Sequence, residues 1–400
     1  MNDDATPRYT RYDMPMQQVP AGAGAGPPGP AGTATVQGAE VCQVVQDLTH
    51  KVPLIAGKPA IARVYVDSQA LAGKARVTGE IAWKKGTSNA ETYLPASNSI
   101  VLDPAAPHPV NARRLDTDHS LQFQLPAAAV AAGKLKLRLK RLSILGGADI
   151  PLQGPVSWQV TFRKAPPLRV RVIGLRYRNA QGATRSPEAI HFTYLRSFLA
   201  RAYPVADVQW SQAVVDADFT APFDANTVLA ANAQLAAIRS REVSSGTHPL
   251  THYYGLVDDA GGQNFMRGRA FDVPAEPRPD TVASGPAGTP GGFAGDHDLS
   301  YADWYGAHEI GHTFGRFHPG FPVGQQDRSD TNFPFFNGQL ADPDDRYVGF
   351  DFGDPALGFD MKVLPGQQWH DIMTYADNQW MSQYTYEAIL ERLVAESKLV

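Results

Sequence analysis

The chain lacks the features that mark several protein classes. Among its 400 residues Cys42 is the only cysteine, so no disulfide can form within the chain and cysteine usage does not indicate a redox compartment. Charged residues make up only 19% and the formal net charge is −4, which favours neither nucleic acid nor an anionic membrane as a partner. No apolar run approaches the length of about 20 residues that a membrane-spanning helix needs, so we expect no membrane span.

The N-terminal residues carry no apolar stretch that would be typical of a secretory signal. Residues 20–30 consist of Pro, Ala and Gly alone, and we predict a flexible tail over residues 1–37. Such a tail could be an inhibitory propeptide with Asp13 or Cys42 as a blocking metal ligand. The alternative for Cys42, which lies near the start of an alternating apolar stretch, is a buried strand residue.

Residues 38–165 show the two-residue periodicity of β-strands. Residues 134–140 alternate Lys or Arg with Leu, which predicts a strand with one face in the core and one in water. Similar strands are predicted at residues 60–67, 76–83, 120–125 and 156–163. Short strands separated by Gly and Pro are typical of a β-sandwich. This region could present substrate or serve as a spacer, and it contains no catalytic constellation.

The pattern changes after Pro166 and Pro167, and residues 166–400 favour an α/β domain. We predict that Ser186 is the N-cap of the first helix. The Gly- and Pro-rich segment 261–295 is too long for a plain connection, so we predict a functional or mobile loop near a cleft. The other predicted elements are strands at 168–177, 205–210 and 251–257 and a helix at 226–241.

The most informative motif is His-Glu-x-x-His-x-x-Gly-x-x-His, formed by His308, Glu309, His312, Gly315 and His318. Histidines four residues apart lie on one face of a helix, and the glycine permits a left-handed turn that brings back the third. Three protein ligands leave a fourth position for water, as in catalytic zinc sites. The alternative, a helix with surface or core histidines, does not account for the extended spacing.

This motif resembles that of the metzincin zinc metalloendopeptidases, and residues 371–375 (Asp-Ile-Met-Thr-Tyr) resemble their Met-turn. The resemblance implies that Met373 lies beneath the metal and that Tyr375 lies near it and contributes a hydrogen bond to the tetrahedral intermediate. Pro319 and the residues around Glu309 (His-Glu-Ile-Gly-His-Thr) resemble those of serralysins, although no Gly-Gly-x-Gly-x-Asp calcium repeats follow.

Residues 52–66 and 371–386 also resemble bacterial secreted metzincins that carry an upstream immunoglobulin-like domain. The resemblance implies an immunoglobulin-like sandwich followed by a metzincin catalytic domain, in a secreted or exported protein.

We therefore predict a monomeric zinc-dependent endopeptidase that acts on a protein or glycoprotein. Zinc would lower the pKa of its water to about 7, and Glu309 would act as the general base. Two alternatives stay open, a zinc hydrolase acting on peptidoglycan or other non-protein amides, and a catalytically weak zinc-bearing binding protein.

The remaining candidate ligands receive simpler interpretations. Aspartates at 296–298 and 342–354 leave structural Ca²⁺ open, although no complete oxygen-ligand spacing is present. His370 is near Met373 in sequence and could approach the cleft. We expect Trp380 and Phe317 to pack rather than bind substrate. Surface or loop positions are predicted for His248, His252 and His297.

Overall fold

The computed structural model describes residues 32–220, 223–259, 266–289, 298–326 and 329–400. β-Sheet predominates, and the described residues contain five α-helices. Asp13, the run at 20–30 and His297 lie outside the described residues. No helix in the described ranges is both long and apolar enough to cross a membrane.

The strands and helices follow in chain order. The strands of the N-terminal half are β1 (Ala34–Cys42), β2 (Val45–Gln46), β3 (Leu54–Ile55), β4 (Ile61–Asp67), β5 (Ala75–Lys85), β6 (Thr92–Pro95), β7 (Ile100–Leu102), β8 (Leu121–Gln124), β9 (Gly133–Ile144), β10 (Leu152–Gln153) and β11 (Ser157–Arg163). Those of the C-terminal half are β12 (Leu168–Arg178), β13 (Thr184–Arg185), β14 (Val208–Asp216), β15 (His252–Asp258), β16 (Arg269–Ala270), β17 (Val282–Ala287), β18 (Val348–Asp351), β19 (Lys362–Leu364), β20 (His370–Asp371) and β21 (Gln379–Trp380). The helices are α1 (Val110–Arg114), α2 (Ala189–Ala202), α3 (Thr227–Ser244), α4 (Ala302–Thr313) and α5 (Gln383–Glu396).

Two sheets form the N-terminal half, with strand orders β10-β1-β4-β8 and β3-β11-β9-β5-β6, and β7 also pairs with β5. They enclose one apolar cluster. On β9, Leu135, Leu137 and Leu139 are buried whereas Lys136 and Lys140 are exposed. The predicted strands in this region are therefore confirmed, because alternation along the chain matches the two faces of a strand.

Strand β1 begins at Ala34, which lies inside the predicted tail of residues 1–37. It pairs with β4 in antiparallel register and with β10 in parallel register. Cys42, at its end, is 1% exposed, as the strand interpretation predicted. Burial raises the pKa of its thiol, with the Glu40 carboxylate as a second cause. A thiol buried in this strand is not available to block a metal, so the interpretation of Cys42 as a blocking ligand is wrong.

The largest sheet of the C-terminal half contains β12, β14, β15 and β17 in parallel and β16 antiparallel to β17. Val170 and Val172 of β12 join the core that includes α2, α4 and α5, and Ile173 and Leu175 join the core that includes α3. Helices therefore cover both faces, and the predicted strand–helix–strand order is confirmed.

Two local predictions in this half are wrong. Helix α2 begins at Ala189 after an N-cap at Glu188, so Ser186 is not its cap. The predicted loop at 261–295 contains β16 and β17, and all six residues of β17 are buried. The β17 sequence contains Ser, Gly and Pro, which have low strand propensity, but it lies between neighbouring strands and helix α4, where close packing overrides propensity.

The two halves share a core. Strand β2 pairs with β18, and residues 44–55 supply Val44, Val45, Val52 and Ile55 to the apolar cluster that contains Trp380. The indole Nε1 of Trp380 donates a hydrogen bond to the Val44 carbonyl oxygen at 3.0 Å. Residues 44–55 therefore belong to the core of the C-terminal half, although they precede Pro166 and Pro167.

Charged side chains also join the halves. The guanidinium of Arg114 is buried against the Glu40 carboxylate, which is 0% exposed. The same guanidinium donates to the carbonyl oxygens of Asp345 at 2.8 Å and Arg346 at 3.1 Å. Because this cation is buried and bonds groups from both halves, separating the halves would leave charges and carbonyls without partners.

Candidate metal centre

Helix α4 positions the first two histidines of the motif. It runs over Ala302–Thr313 and presents His308 and His312 one turn apart on one face. Gly315 follows with φ +77°, the left-handed conformation predicted from the sequence. A Cβ there would lie 2.6 Å from the carbonyl oxygen of Pro274, so close packing also requires glycine. The chain then reverses and carries His318 back towards the helix.

The three histidines converge as predicted. The Nε2 atom of His318 lies 3.2 Å from Nε2 of His308 and 3.1 Å from Nε2 of His312. All three side chains are buried, and among the described residues they form the group that could hold a metal ion. Ligand nitrogens about 2.0–2.1 Å from a tetrahedral zinc lie about 3.3–3.4 Å apart, so the spacing fits such an ion.

Backbone carbonyls fix the orientation of two of these rings. The Nδ1 atom of His308 donates to the Ile372 carbonyl oxygen at 2.7 Å, and that of His312 donates to the Arg316 carbonyl oxygen at 2.6 Å. A ring that donates from Nδ1 carries its lone pair on Nε2 when neutral, which is the form that binds metal. Burial, followed by the neighbouring His312 and His318, lowers the pKa of His308 well below its usual value. The residues therefore fit a bound metal cation.

Glu309 lies beside the first ligand in a dry environment. Its side chain is 3% exposed, and the backbone of Gly268 packs against it so closely that a Cβ there would lie 2.6 Å from Oε1. Burial and the Glu309 carboxylate raise the pKa of Tyr254 well above its usual value. The Glu309 side chain, on the residue after His308, is thus confined by a close backbone approach that only glycine permits.

Met373 packs against helix α4, and its position beneath the metal stays a prediction. It is 1% exposed, and a Cβ on Gly311 would lie 2.7 Å from its sulfur, so the thioether packs directly against that glycine between the two helical histidines. The turn is held by the buried carboxylate of Asp371, which accepts from the Met373 amide at 2.8 Å and from the Ser382 amide at 3.2 Å. This turn also supplies the Ile372 carbonyl that orients His308.

Tyr375 is also near the histidines. Its ring centroid lies 5.0 Å from that of His318 and 5.6 Å from that of His308. The guanidinium of Arg267 lies over the Tyr375 ring, 4.5 Å from its centroid, and donates to the Tyr375 carbonyl oxygen at 3.3 Å. The placement of Tyr375 agrees with the prediction, and its proposed hydrogen bond in catalysis stays a prediction.

Sequence reasoning missed several residues of the site. Arg267 and Gly268 lie in a segment that was expected to approach a cleft, but nothing in the sequence singled out either one. Trp304 lies one helical turn before His308, and its spacing of four residues was a signal that could have been used. Nothing in the sequence pointed to Tyr254, because its proximity to Glu309 depends on how the sheet packs against the helix.

His252 is buried, so its predicted surface or loop position is wrong. It is 2% exposed, and its Nε2 lies 2.9 Å from Oε2 of Glu396 while its Nδ1 lies 3.0 Å from Oγ1 of Thr313. The network links β15, α5 and the last turn of α4, next to His312. It therefore ties the C-terminal end of helix α4 to β15 and α5.

Loss of this buried contact should destabilise the protein. Glu396→Ala should lower the free energy of unfolding by about 1–3 kcal/mol, the range for leaving a buried hydrogen-bonding group without its partner. Glu391→Ala, on the exposed side of the same helix, should change it by less than about 0.5 kcal/mol. Denaturant unfolding of both variants measures this difference, and equal losses would contradict the account.

Other sequence candidates lie outside the metal centre. His248 is exposed, as predicted, and His370 stacks on Phe321 with ring centroids 5.4 Å apart. Trp380 packs in the core, as predicted, whereas Phe317 is 36% exposed and does not. In the 342–354 segment, Asp351 pairs with Arg201 and Asp354 accepts from Ser197, which are protein partners rather than a calcium site.

No family model and no curated protein matches the chain. One similar solved structure is a calcium-binding mutant of beta-glucuronidase 2 from Bacteroides uniformis, with 10% sequence identity and a TM-score of 0.19. That match covers 56% of this chain, and the chain spans 29% of that protein. A likeness this weak carries no argument about fold or activity.

Proposed function

We propose that the protein is a zinc-dependent endopeptidase, with a metzincin-like C-terminal half. The observation that carries the proposal is the convergence of three buried imidazole nitrogens, with the buried Glu309 as the residue directly after the first of these histidines. A structural zinc site has four protein ligands, whereas the described residues bring together three. The placement of Met373 and Tyr375 supports the metzincin resemblance.

His308, His312 and His318 would hold the ion, and nitrogen ligands of this kind suit zinc better than magnesium or calcium. Bound zinc supplies Lewis acidity, which activates water and stabilises negative charge on a substrate oxygen. Glu309 accepts the proton of the attacking water and delivers it to the leaving amine. Burial keeps Glu309 out of bulk water, and Gly268 restricts its rotation.

Strand β16 favours a peptide as the substrate. It is the end strand of its sheet in the described part of the chain and leads directly from Gly268, which touches Glu309. An extended peptide can pair with an edge strand through backbone hydrogen bonds, which would place a peptide carbonyl near the metal centre. Peptidoglycan strands offer fewer such bonds, so this geometry favours proteins over cross-linked glycans.

A comparison of three substrates tests the proposal. The zinc-loaded full chain is incubated with denatured casein, a glycoprotein and peptidoglycan, each with and without a chelator. We expect chelator-sensitive cleavage of casein. Cleavage of peptidoglycan alone would support the non-protein hydrolase, and no cleavage of any of the three would support the binding protein.

Metal analysis provides a separate prediction. Protein purified without added metal should contain about one zinc per chain, because the three nitrogens are already oriented for binding. His312→Ala should abolish binding, whereas His248→Ala, which alters an exposed histidine, should retain it. A well-folded wild-type protein with stoichiometry near zero, even after zinc is added, would contradict the site.

A further inference from the structure

A cavity of about 310 Å³ lies beside the metal centre. Its walls come from α2, α4 and the chain that follows the Met373 turn, together with residues around β18 and β19. Aromatic rings form much of the lining, among them Trp304, Phe359 and Trp369. The cavity is large enough for one long amino-acid side chain.

Two residues connect this cavity to the metal site. Trp304 and Gln379 line the cavity, and they also line a smaller space together with His308 and Tyr375. Trp304 precedes His308 by four residues on α4, which corresponds to a rise of about 6 Å along the helix. A side chain in the cavity would therefore belong to a residue close to the bond held at the metal.

The lining is acidic. Five aspartates line the cavity against two cations, Arg201 and Lys362. Arg201 pairs with Asp351, whereas the Lys362 ammonium keeps its charge and lies 4.9 Å from the Trp369 ring centroid. Asp360 and Asp377 are exposed and form no ion pair with any residue that the structure describes. The carboxylates of Asp360 and Asp377 therefore outnumber the Lys362 ammonium, which gives this part of the lining an excess of negative charge.

The geometry favours an organic cation over a metal ion. Among the described residues the histidine triad is the group that brings three ligand atoms together, so the aspartates are too dispersed to chelate an ion. Aromatic faces attract ammonium and guanidinium groups, and the Lys362–Trp369 contact is an internal example.

We propose that this cavity is a specificity subsite that binds an arginine or lysine side chain of the substrate next to the cleaved bond. The aromatic walls hold the aliphatic stem and the cationic face, and Asp360 and Asp377 supply the opposite charge at the mouth. This inference rests on the proposed endopeptidase function. We therefore expect the protein to prefer substrates with arginine or lysine beside the cleaved bond, and this preference should depend on the Asp360 and Asp377 carboxylates.

Two peptides that differ only in charge test the subsite. One carries arginine beside the cleaved bond and the other carries citrulline, which has nearly the same shape but no charge. Wild-type protein should cleave the arginine peptide with a kcat/KM about tenfold higher, the effect of a cation near aromatic faces and partly exposed carboxylates. The doubly substituted Asp360→Asn, Asp377→Asn protein should lose most of that preference, to below about threefold.

A charge-matched control separates local from general electrostatics. The doubly substituted Asp207→Asn, Asp344→Asn protein loses the same charge from exposed positions outside the cavity and should keep the full preference. Equal cleavage of both peptides by the wild type, or an undiminished preference in the cavity variant, would overturn the subsite. Cleavage of neither peptide would instead count against the endopeptidase function.

If neither peptide is cleaved, a binding measurement still tests the subsite. Acetyl-arginine amide should shift the indole NMR signals of Trp304 and Trp369 more strongly than acetyl-citrulline amide does. Equal shifts, or none, would overturn the subsite independently of any activity.

Discussion

Replacement of Glu309 should reduce peptide hydrolysis by about a thousandfold or more, because proton transfer by a positioned base contributes roughly 10²–10⁴ to such reactions. Glu309→Ala removes the carboxylate and leaves the three histidines in place. The side chain is buried against Gly268, so alanine would also leave a gap. Glu309→Gln keeps the volume and removes only the base, and it should lose as much activity.

The controls for this prediction are metal content and fold. Both variants should bind zinc at wild-type stoichiometry, and Glu309→Gln should unfold at the wild-type denaturant concentration. Glu391→Ala, at an exposed position on α5, should keep full activity. If either Glu309 variant retains more than about a tenth of wild-type activity, Glu309 is not the base.

Removal of the N-terminal half should unfold the C-terminal half. A chain that begins at Ala165 loses Val44, Val45, Val52 and Ile55 from the core around Trp380. Burial of an aliphatic side chain contributes about 1.5–3 kcal/mol, so the loss is about 6–12 kcal/mol. This is comparable with the whole stability of a domain, which is about 5–15 kcal/mol. Circular dichroism and zinc binding of the truncated chain measure this effect.

The matched control is a chain that begins at Gly32, which keeps every described residue and should fold and bind zinc. The sequence pattern alone suggests instead that the chain beginning at Ala165 folds and binds zinc, because the alternating strands and helices and the zinc motif all follow Pro167. A chain from Ala165 that unfolds cooperatively and binds zinc like the full protein would show that the shared core is dispensable.

The metal centre was predictable because its information is local. His308, His312, Gly315 and His318 lie within 11 residues, and helix periodicity together with one left-handed glycine determines how they meet. The strands of the N-terminal half were predictable for a similar reason. Apolar and charged residues alternate along β9 because one face of the strand packs in the core and the other is in water.

Other features depend on contacts between distant residues, which periodicity does not encode. Strand β17 has a poor strand sequence and forms because β15 and α4 enclose it. Burial of His252 requires Glu396, 144 residues away. Similarly, β2 is a two-residue strand whose partner, β18, lies about 300 residues later. No local pattern could have predicted that the two halves share a core.

Hydrolysis in water enriched in oxygen-18 tests the central claim most directly. A peptide is incubated with the zinc-loaded full chain, and the fragments are analysed by mass spectrometry. The account predicts two fragments, with one oxygen-18 atom on the new carboxyl group, and no fragments when a chelator is present. An intact peptide with zinc bound, or cleavage that continues after the metal has been removed, would contradict it.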